Sequence, residues 1–552
     1  MNAAELHARL RDRFGDDVVG LDTALLDPSV EVRGARLHDV CRFLRDQDDL
    51  RFDFLRSLSG VDRPEAFEAV YHLYSYPRRH ALTLRVKLGR ETPAVASVQD
   101  LWPTANWHER EAWDLFGIGF PGHPGLKRLL LPDDWTGHPL RKDYQRPAEY
   151  HGIPSSRDAS LPVTRATVGG GPIVQPAMHE AKAAEIAGFM RLNMGPHHPA
   201  THGVINFLLE TDGEIIRRAI PDVGYLHRGI EKLAESNAYL GTMPYTDRID
   251  YLGAIFTNHA WALAVERLLG IPVPSRGEYC RVIASELNRI ASHLIATGAL
   301  AMDVGAFTPF IHWIREREKI NDIMERICGA RLTYNYLRFG GVARDIDGET
   351  VDMILRWLDH FEPIFDEYNR LISENEIFIK RLANVAVVSP ADAVAWGLVG
   401  PNLRASGIDF DLRRDQPYSV YPELKFDVVV GRGWHGVVGD CYDRYTCRIL
   451  EMRESTKLLR QACAALPPGE SWVKPKTVKP AANEIYACVE SARGEIGNYV
   501  IADGTDKPYR MKIRTGSFTG LSIIEHLSPG LMLADLVALI GSLDVVAPEV
   551  DR

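Results

Sequence analysis

A change of composition at residues 146–185 constrains this chain more than any other feature. HGIPSSRDASLPVTRATVGGGPIVQP repeats proline, carries a triple glycine and offers few residues for a core. Such a stretch reads as a linker, which divides the chain into a part at 1–145 and a part at 186–552. The full length of 552 residues leaves room for more than one hydrophobic core.

The two parts carry different periodicities. In the first, AVYHLYS (69–75) and ALTLRVK (81–87) read as neighbouring strands joined by the turn PRRH. LWPTANWHEREAWDLFGIGF then predicts a short helix with a Gly-bounded exit, followed by the Pro- and Gly-dense, extended PGHPGLKRLLLPDDWTGHPLRKDY. In the second part, Ile283, Leu287, Ile290 and Leu294 recur at helical spacing and mark a core face, while Glu286, Arg289 and His293 share another. YLGAIFTNHAWALAVERLLG and IHWIREREKINDIMERICG predict two further helices, each closed by glycine. KPYRMKIRTGSFTG returns to strand-like alternation. The expected class is α+β: a small α/β domain, a linker, then a helix bundle with small flanking sheets.

Charge and cysteine content exclude several functions. The net charge is -10 and no basic tract dominates, which argues against a nucleic-acid binder. MNAAELHARLRDRFG lacks the apolar core of a signal peptide, so a cytoplasmic location is expected. The seven cysteines (41, 280, 328, 441, 447, 463, 488) form no CxxC pair, so no metal centre or cluster is expected to be held by this chain alone. LIATGALAMDVGAFTPFIHWI is apolar enough to raise the question of a membrane span. Gly298, Asp303, Gly305 and Pro309 interrupt it, and a charge at mid-membrane is costly, so it reads as a buried helix end followed by a turn.

Three places offer chemistry. GPHHPATHG (195–203) places His197, His198 and His202 in one loop, which leaves a rigid turn, a ligand contact or proton donor, and a metal ligand all open. MPYTDRIDYL sets Tyr245 and Tyr251 beside acids; tyrosines packed at a helix start are the plainer reading. Asp303 interrupts an apolar helix end, where the dipole disfavours a carboxylate, and a histidine partner would compensate it. ERE (109–111) and REREK (315–319) read as solvated faces or structural ion pairs. The glycine runs at 169–171 and 431–436 lack a GxGxxG fingerprint, so no nicotinamide site is expected.

WHEREAWDLFGIGFPGHPGLKRLLLPDDWTGHPLRKDY (107–144) resembles the signature of the 30 kDa (C) subunit of respiratory complex I. NMGPHHPATHGV, DVGYLHRGIEKL, PYTDRIDYL, MDVGAFTPF, NLRASGIDFDLRR and ESARGEIGNYVIADG resemble the 49 kDa (D) subunit, in the same order. The chain is therefore similar to the fused C/D subunits of bacterial NADH–quinone oxidoreductases. The resemblance implies a fold like that of the nickel–iron hydrogenase large subunit. Hydrogenases hold nickel with two cysteine pairs, whereas IPDVGYLHRGIEK and SLDVVAPEVDR stand in those regions without cysteine. That favours the quinone-reducing branch and no metal in this chain.

The resemblance places a quinone-head histidine at His202, its tyrosine partner at Tyr251, the histidine's aspartate at Asp303, and a supporting role at His198. Arg228 in YLHRG and Thr333 in GARLTYNY would lie near the terminal [4Fe–4S] cluster of the B subunit. Many relatives carry histidine where Thr333 stands, which implies a lower, less pH-dependent cluster potential here and suits a low-potential quinone such as menaquinone. GRGWHGVVGDCYDRY is longer than the family pattern and reads as surface-loop variation. In the C-like part, Trp107, Phe116 and Trp135 are expected as buried anchors, with Arg141 and Lys142 making polar contacts. The implied partners are the B subunit, other hydrophilic-arm subunits (I and the E/F/G module), membrane subunits such as H and A, and quinone as substrate. The implied location is peripheral, on the cytoplasmic side of the inner membrane. An equivalent subunit fed by ferredoxin, F420 or another donor, and a structural assembly subunit, are the competing readings.

Overall fold

A computed structural model of the chain describes residues 1–154 and 189–552. Most of the linker reading falls on the residues between, outside the described ones.

The first part is built on a mixed five-stranded sheet with the spatial order Val18–Asp22, Ser29–Val32, His80–Leu88, Phe67–Ser75, Phe54–Asp62. Ser29–Val32 and His80–Leu88 run parallel, and the other neighbours antiparallel. The expected hairpin forms, with Ser75 opposite His80. Helix Ala105–Phe116 stops at Gly117, whose left-handed φ of 72° is one that glycine adopts without strain. A Cβ there would also lie 2.6 Å from the Arg141 and His138 side chains. The Pro- and Gly-rich tail after it needs no ladder, because the buried Asp114 carboxylate accepts the N–H groups of Leu129, Leu130 and Leu131 at 2.9–3.0 Å.

Strands Phe54–Asp62 and Phe67–Ser75 are buried along their whole length, on both faces. The reason lies in the second part. Its antiparallel sheet, Asn483–Ser491, Gly494–Ala502 and Arg510–Arg514, packs Tyr486, Tyr499 and Ile501 onto Val61 and Val70. The His72 ring sits 4.8 Å from the rings of both Tyr486 and Tyr499. Burial, with Arg56 nearby, lowers its pKa to about 3, so it stays neutral. Arg85 crosses to Glu484 at 2.5 Å. The ERE motif belongs to these contacts and is not solvated. Glu109 caps Ser97 and Val98, while Glu111 pairs with Lys512 and Arg552.

The expected anchors behave unequally. Trp107 and Phe116 are buried, Trp107 against Phe518 and Phe116 under the Arg510 guanidinium. Trp135 is only half-buried and packs on Tyr150 at the start of the linker stretch, because the tail around it stays at the surface. Lys142 reaches across to Glu235 and the Tyr509 carbonyl, whereas the Arg141 side chain holds the Phe116 carbonyl of its own part.

The second part is mostly helical. A small antiparallel sheet, Met190–Met194, Asn206–Asp212 and Ile215–Asp222, precedes helices Ala254–Leu269, Ser275–Asp303, Phe307–Cys328, Gly348–Tyr368 and Cys441–Ala465. Gly270 and Gly329 close two of them in the left-handed region, as their positions in the sequence predict. Ser275–Asp303 is the central helix, and its polar face is as buried as its apolar one. Glu286 accepts hydroxyl protons from Tyr421 and Ser455 and pairs with Arg289 at 3.2 Å; His293 meets Glu451 at 3.0 Å, and Arg404 meets the same carboxylate at 2.7 Å. In REREK, Glu316 is likewise buried among Arg315, Lys319 and His360. The apolar stretch 294–314 is split between two helices by the turn at 304–306, and among the described residues no helix is long and apolar enough to cross a membrane.

The loop at 431–440 is not a free surface excursion. Asp443 accepts the N–H groups of Gly433 and Trp434, and Asp440 accepts those of Val437 and Asn384 while capping helix Cys441–Ala465. Gly439, at φ 90°, lets the loop close on Val388. Only Val437 and Val438 project outward as apolar groups.

Candidate functional site

The histidine loop enters the second part between its first two strands. His198 is extended, and its Nδ1 accepts the Ala200 N–H, starting the short turn Pro199–Thr201. Thr201 is buried and donates to the His198 and Gly203 carbonyls. The turn ends at His202 in the left-handed region, φ 53°, which turns the imidazole back into the protein. Gly203 follows where a Cβ would lie 2.6 Å from that of Ala547, so the loop rests directly on the C-terminal segment.

His202 Nε2 lies 2.5 Å from Asp303 Oδ2, although 101 residues separate them. Asp303 is the last residue of the central helix, and its side chain is 5% exposed against 16% for His202. Burial pulls the His202 pKa down, but the hydrogen bond and charge of Asp303, helped by Asp544, outweigh it and leave the pKa raised. Gly541 allows the approach: a Cβ there would stand 3.1 Å from Asp303 Oδ2 and 3.0 Å from Leu300.

Tyr251 occupies the turn before helix Ala254–Leu269. Asn288 holds that turn by donating to the Leu252 carbonyl and accepting the Ile255 N–H. Asp250 holds it from the other side, ion-paired to Arg493 at 2.6 Å. Tyr251 is half-buried, and among the described residues its hydroxyl has no hydrogen-bond partner. Burial raises its pKa against the opposing charge of Arg493, with Asp250 and Asp544 adding to the rise. Asp544 therefore acts on both His202 and Tyr251. The structure joins His202 to Asp303 directly; among the described residues no hydrogen bond links Tyr251 to either. Tyr245 is 37% exposed and takes no part. His197 and His198 are exposed, and His198 uses one ring nitrogen to cap the loop.

Arg228 donates to the Arg248 and Pro548 carbonyls. Thr333 lies in the bend after helix Phe307–Cys328, two residues before Asn335, whose N–H reaches Asp247. Both candidates thus border the 247–248 turn. Asp250, Arg493, Gly541 and Asp544 were not singled out from the sequence as site residues. SLDVV drew notice only for its missing cysteines, yet it delivers the carboxylate that the other groups share.

Two families match the chain. "Respiratory-chain NADH dehydrogenase, 30 Kd subunit" matches residues 30–150, and "Respiratory-chain NADH dehydrogenase, 49 Kd subunit" matches 303–481 and 471–552. The C/D subunit of the NADH-quinone oxidoreductase of Acidiphilium cryptum is 38% identical over 561 residues, covering 95% of this chain and 93% of its own. The chain belongs to the fused C/D subunit family of NADH–quinone oxidoreductase, complex I. The C/D subunit from Bdellovibrio bacteriovorus is 37% identical and covers 100% of both chains. An unfused D subunit of NADH-quinone oxidoreductase, from Anaeromyxobacter dehalogenans, is 61% identical over 364 residues, which is 96% of that protein and 66% of this chain. The high identity of the D-like part falls on the part that carries the histidine loop, Tyr251 and Asp303.

Proposed function

We propose that the D-like part forms the quinone-head site of a proton-translocating NADH–quinone oxidoreductase. The observation that carries this reading is the His202–Asp303 pair, short and part-buried at the end of the central helix. Reducing a quinone by two electrons places negative charge on its carbonyl oxygens. A protonated His202 and the Tyr251 hydroxyl, which has no acceptor among the described residues, donate protons to them. Asp303 orients the imidazole and favours its charged form. Once His202 has given up its proton, Asp303 is left with a neutral partner in a poorly hydrated place. That change of charge drives the surrounding loops to rearrange and couples the reaction to ion pumping in the membrane subunits.

The electrons come from the terminal [4Fe–4S] cluster of the B subunit, seated against Arg228 and Thr333. The same assembly includes the other hydrophilic-arm subunits, I and the E/F/G module, and membrane subunits such as H and A. Phe307 and Ile311, one helical turn apart and 61% and 50% exposed, extend an apolar surface from Asp303 that a quinone tail or an apolar subunit would cover. In that assembly the chain is peripheral, on the cytoplasmic side of the membrane. The chain works only within that assembly and is inactive by itself.

Asp303→Asn in the assembled complex tests the reading. Quinone reduction falls while electron delivery to the terminal cluster, monitored as its reduction by NADH, persists. Unchanged quinone turnover contradicts the role of Asp303. Thr333 allows a separate check. A neutral threonine takes up no proton when the neighbouring cluster gains an electron, so the cluster potential depends weakly on pH. Thr333→His raises the potential and steepens its pH dependence in redox titrations; a steep slope in the unaltered complex overturns the assignment.

A further inference from the structure

Behind Tyr251 and His202 lies a buried cluster whose charges do not balance. Asp250, Asp544 and Glu549 surround Arg493, which lies 2.6 Å from Asp250, 3.5 Å from Asp544 and 3.8 Å from Glu549. Arg448 approaches Asp544 from helix Cys441–Ala465 at 3.7 Å. Ser292 of the central helix and Ser517 add hydroxyls, to Arg493 and Glu549 respectively. Three carboxylates therefore face two guanidiniums, all of them nearly solvent-free. Fixed anions at such distances in a dry place do not all ionise together, so the cluster retains a proton.

Geometry selects the carboxyl that holds it. Asp250 has the shortest arginine contact and also accepts the Leu252 N–H. Asp544 lies between the two arginines. Glu549 faces a single arginine, and at the longest of these distances from Arg493; its Oε1, like Asp544 Oδ2, is buried with no hydrogen-bond partner among the described residues. Burial, then the charge of Asp250, lifts the Glu549 carboxyl to about 7 against Arg493 and Ser517.

We propose that Glu549 is a proton-holding residue for quinone reduction, releasing its proton toward Tyr251 after Tyr251 has given up its own. The inference rests on the quinone-site reading above. In the step, the Tyr251 O–H bond breaks as its proton joins the reduced quinone oxygen. The Glu549 O–H bond then breaks, and its proton passes through the Asp250 or Asp544 carboxylate and water to Tyr251 Oη. Glu549 is left ionised and is recharged from solvent; no electrons move. The direction is downhill, because burial makes Tyr251 the stronger base.

The test is the pH profile of quinone turnover in the assembled complex. In the unaltered protein kcat falls as pH rises through the Glu549 pKa, since the ionised carboxylate has no proton to give. Glu549→Gln lowers kcat several-fold with little change in KM and removes the Glu549 part of that limb, leaving only the part set by His202, and Glu549→Asp restores it at a shifted pH. An unaltered profile in Glu549→Gln overturns the proposal. If Glu549→Gln does not assemble, an unshifted limb in Glu549→Asp overturns it equally. Tyr251→Phe separates the two readings. If Tyr251→Phe cuts turnover while Glu549→Gln keeps the normal profile, only the proton-holding role fails; if Tyr251→Phe turns over normally, the site reading fails first.

Discussion

Tyr251→Phe lowers quinone turnover of the assembled complex by about 10²-fold, the lower range for loss of a positioned proton donor. The substitution removes one oxygen and little volume. The turn that carries it is fixed by Asp250, Arg493 and Asn288, none of which bonds the tyrosine hydroxyl, so the backbone stays in place. Because that hydroxyl has no hydrogen-bond partner among the described residues, its removal leaves none of their groups stranded. Turnover should therefore fall without loss of the subunit from the complex. NADH oxidation with an artificial acceptor that draws electrons upstream of the terminal cluster should be unchanged. A Tyr251→Phe complex that reduces quinone at the normal rate would remove the tyrosine from the chemistry.

The largest effect on stability is expected at the junction of the two parts. Glu111 is buried, and Arg552 and Lys512 hold its carboxyl below the usual range despite burial. Glu111→Ala leaves Lys512 with Glu231, 3.6 Å away and shared with Arg510, as its remaining close carboxylate, takes from Arg552 its ion-pair partner, and costs about 3–5 kcal/mol, the usual penalty for breaking a buried pair from one side. The readouts are a lower unfolding temperature of the purified complex and loss of this chain from it. The double change Glu111→Leu with Lys512→Met should recover part of the loss, because it removes one of the two cations that Glu111 held and leaves Arg552. Equal stability of Glu111→Ala and the unaltered protein would show that this buried carboxylate adds nothing to the junction.

Helix ends were legible in the sequence because a single residue decides each one. Gly117, Gly270 and Gly329 stop three helices, and the breaks around Asp303 and Gly305 split the apolar stretch. The burial of polar faces was not legible, because the compensating charges are remote in sequence. His293 meets Glu451 158 residues away, and Glu286 meets Ser455 169 residues away. The alternation of AVYHLYS could not show that both faces are covered, since the covering sheet lies beyond residue 480.

The site followed the same rule. The residues of GPHHPATHG left turn, ligand contact and metal all open, and only the resemblance singled out His202. Its contact with Asp303 depends on a left-handed turn and on the small Gly541, and neither carries a local signal. Asp544 was missed because a carboxylate at a helix end has no marked pattern until His202, Tyr251 and two arginines converge on it.

The central claim is that a quinone head binds between His202 and Tyr251. A structure of the assembled complex with bound quinone, at a resolution that fixes the ring, tests it most directly. The account predicts the two carbonyl oxygens within hydrogen-bond reach, about 3 Å, of the His202 imidazole and the Tyr251 hydroxyl. A quinone ring seated away from both side chains, in a complex that turns over, would contradict it.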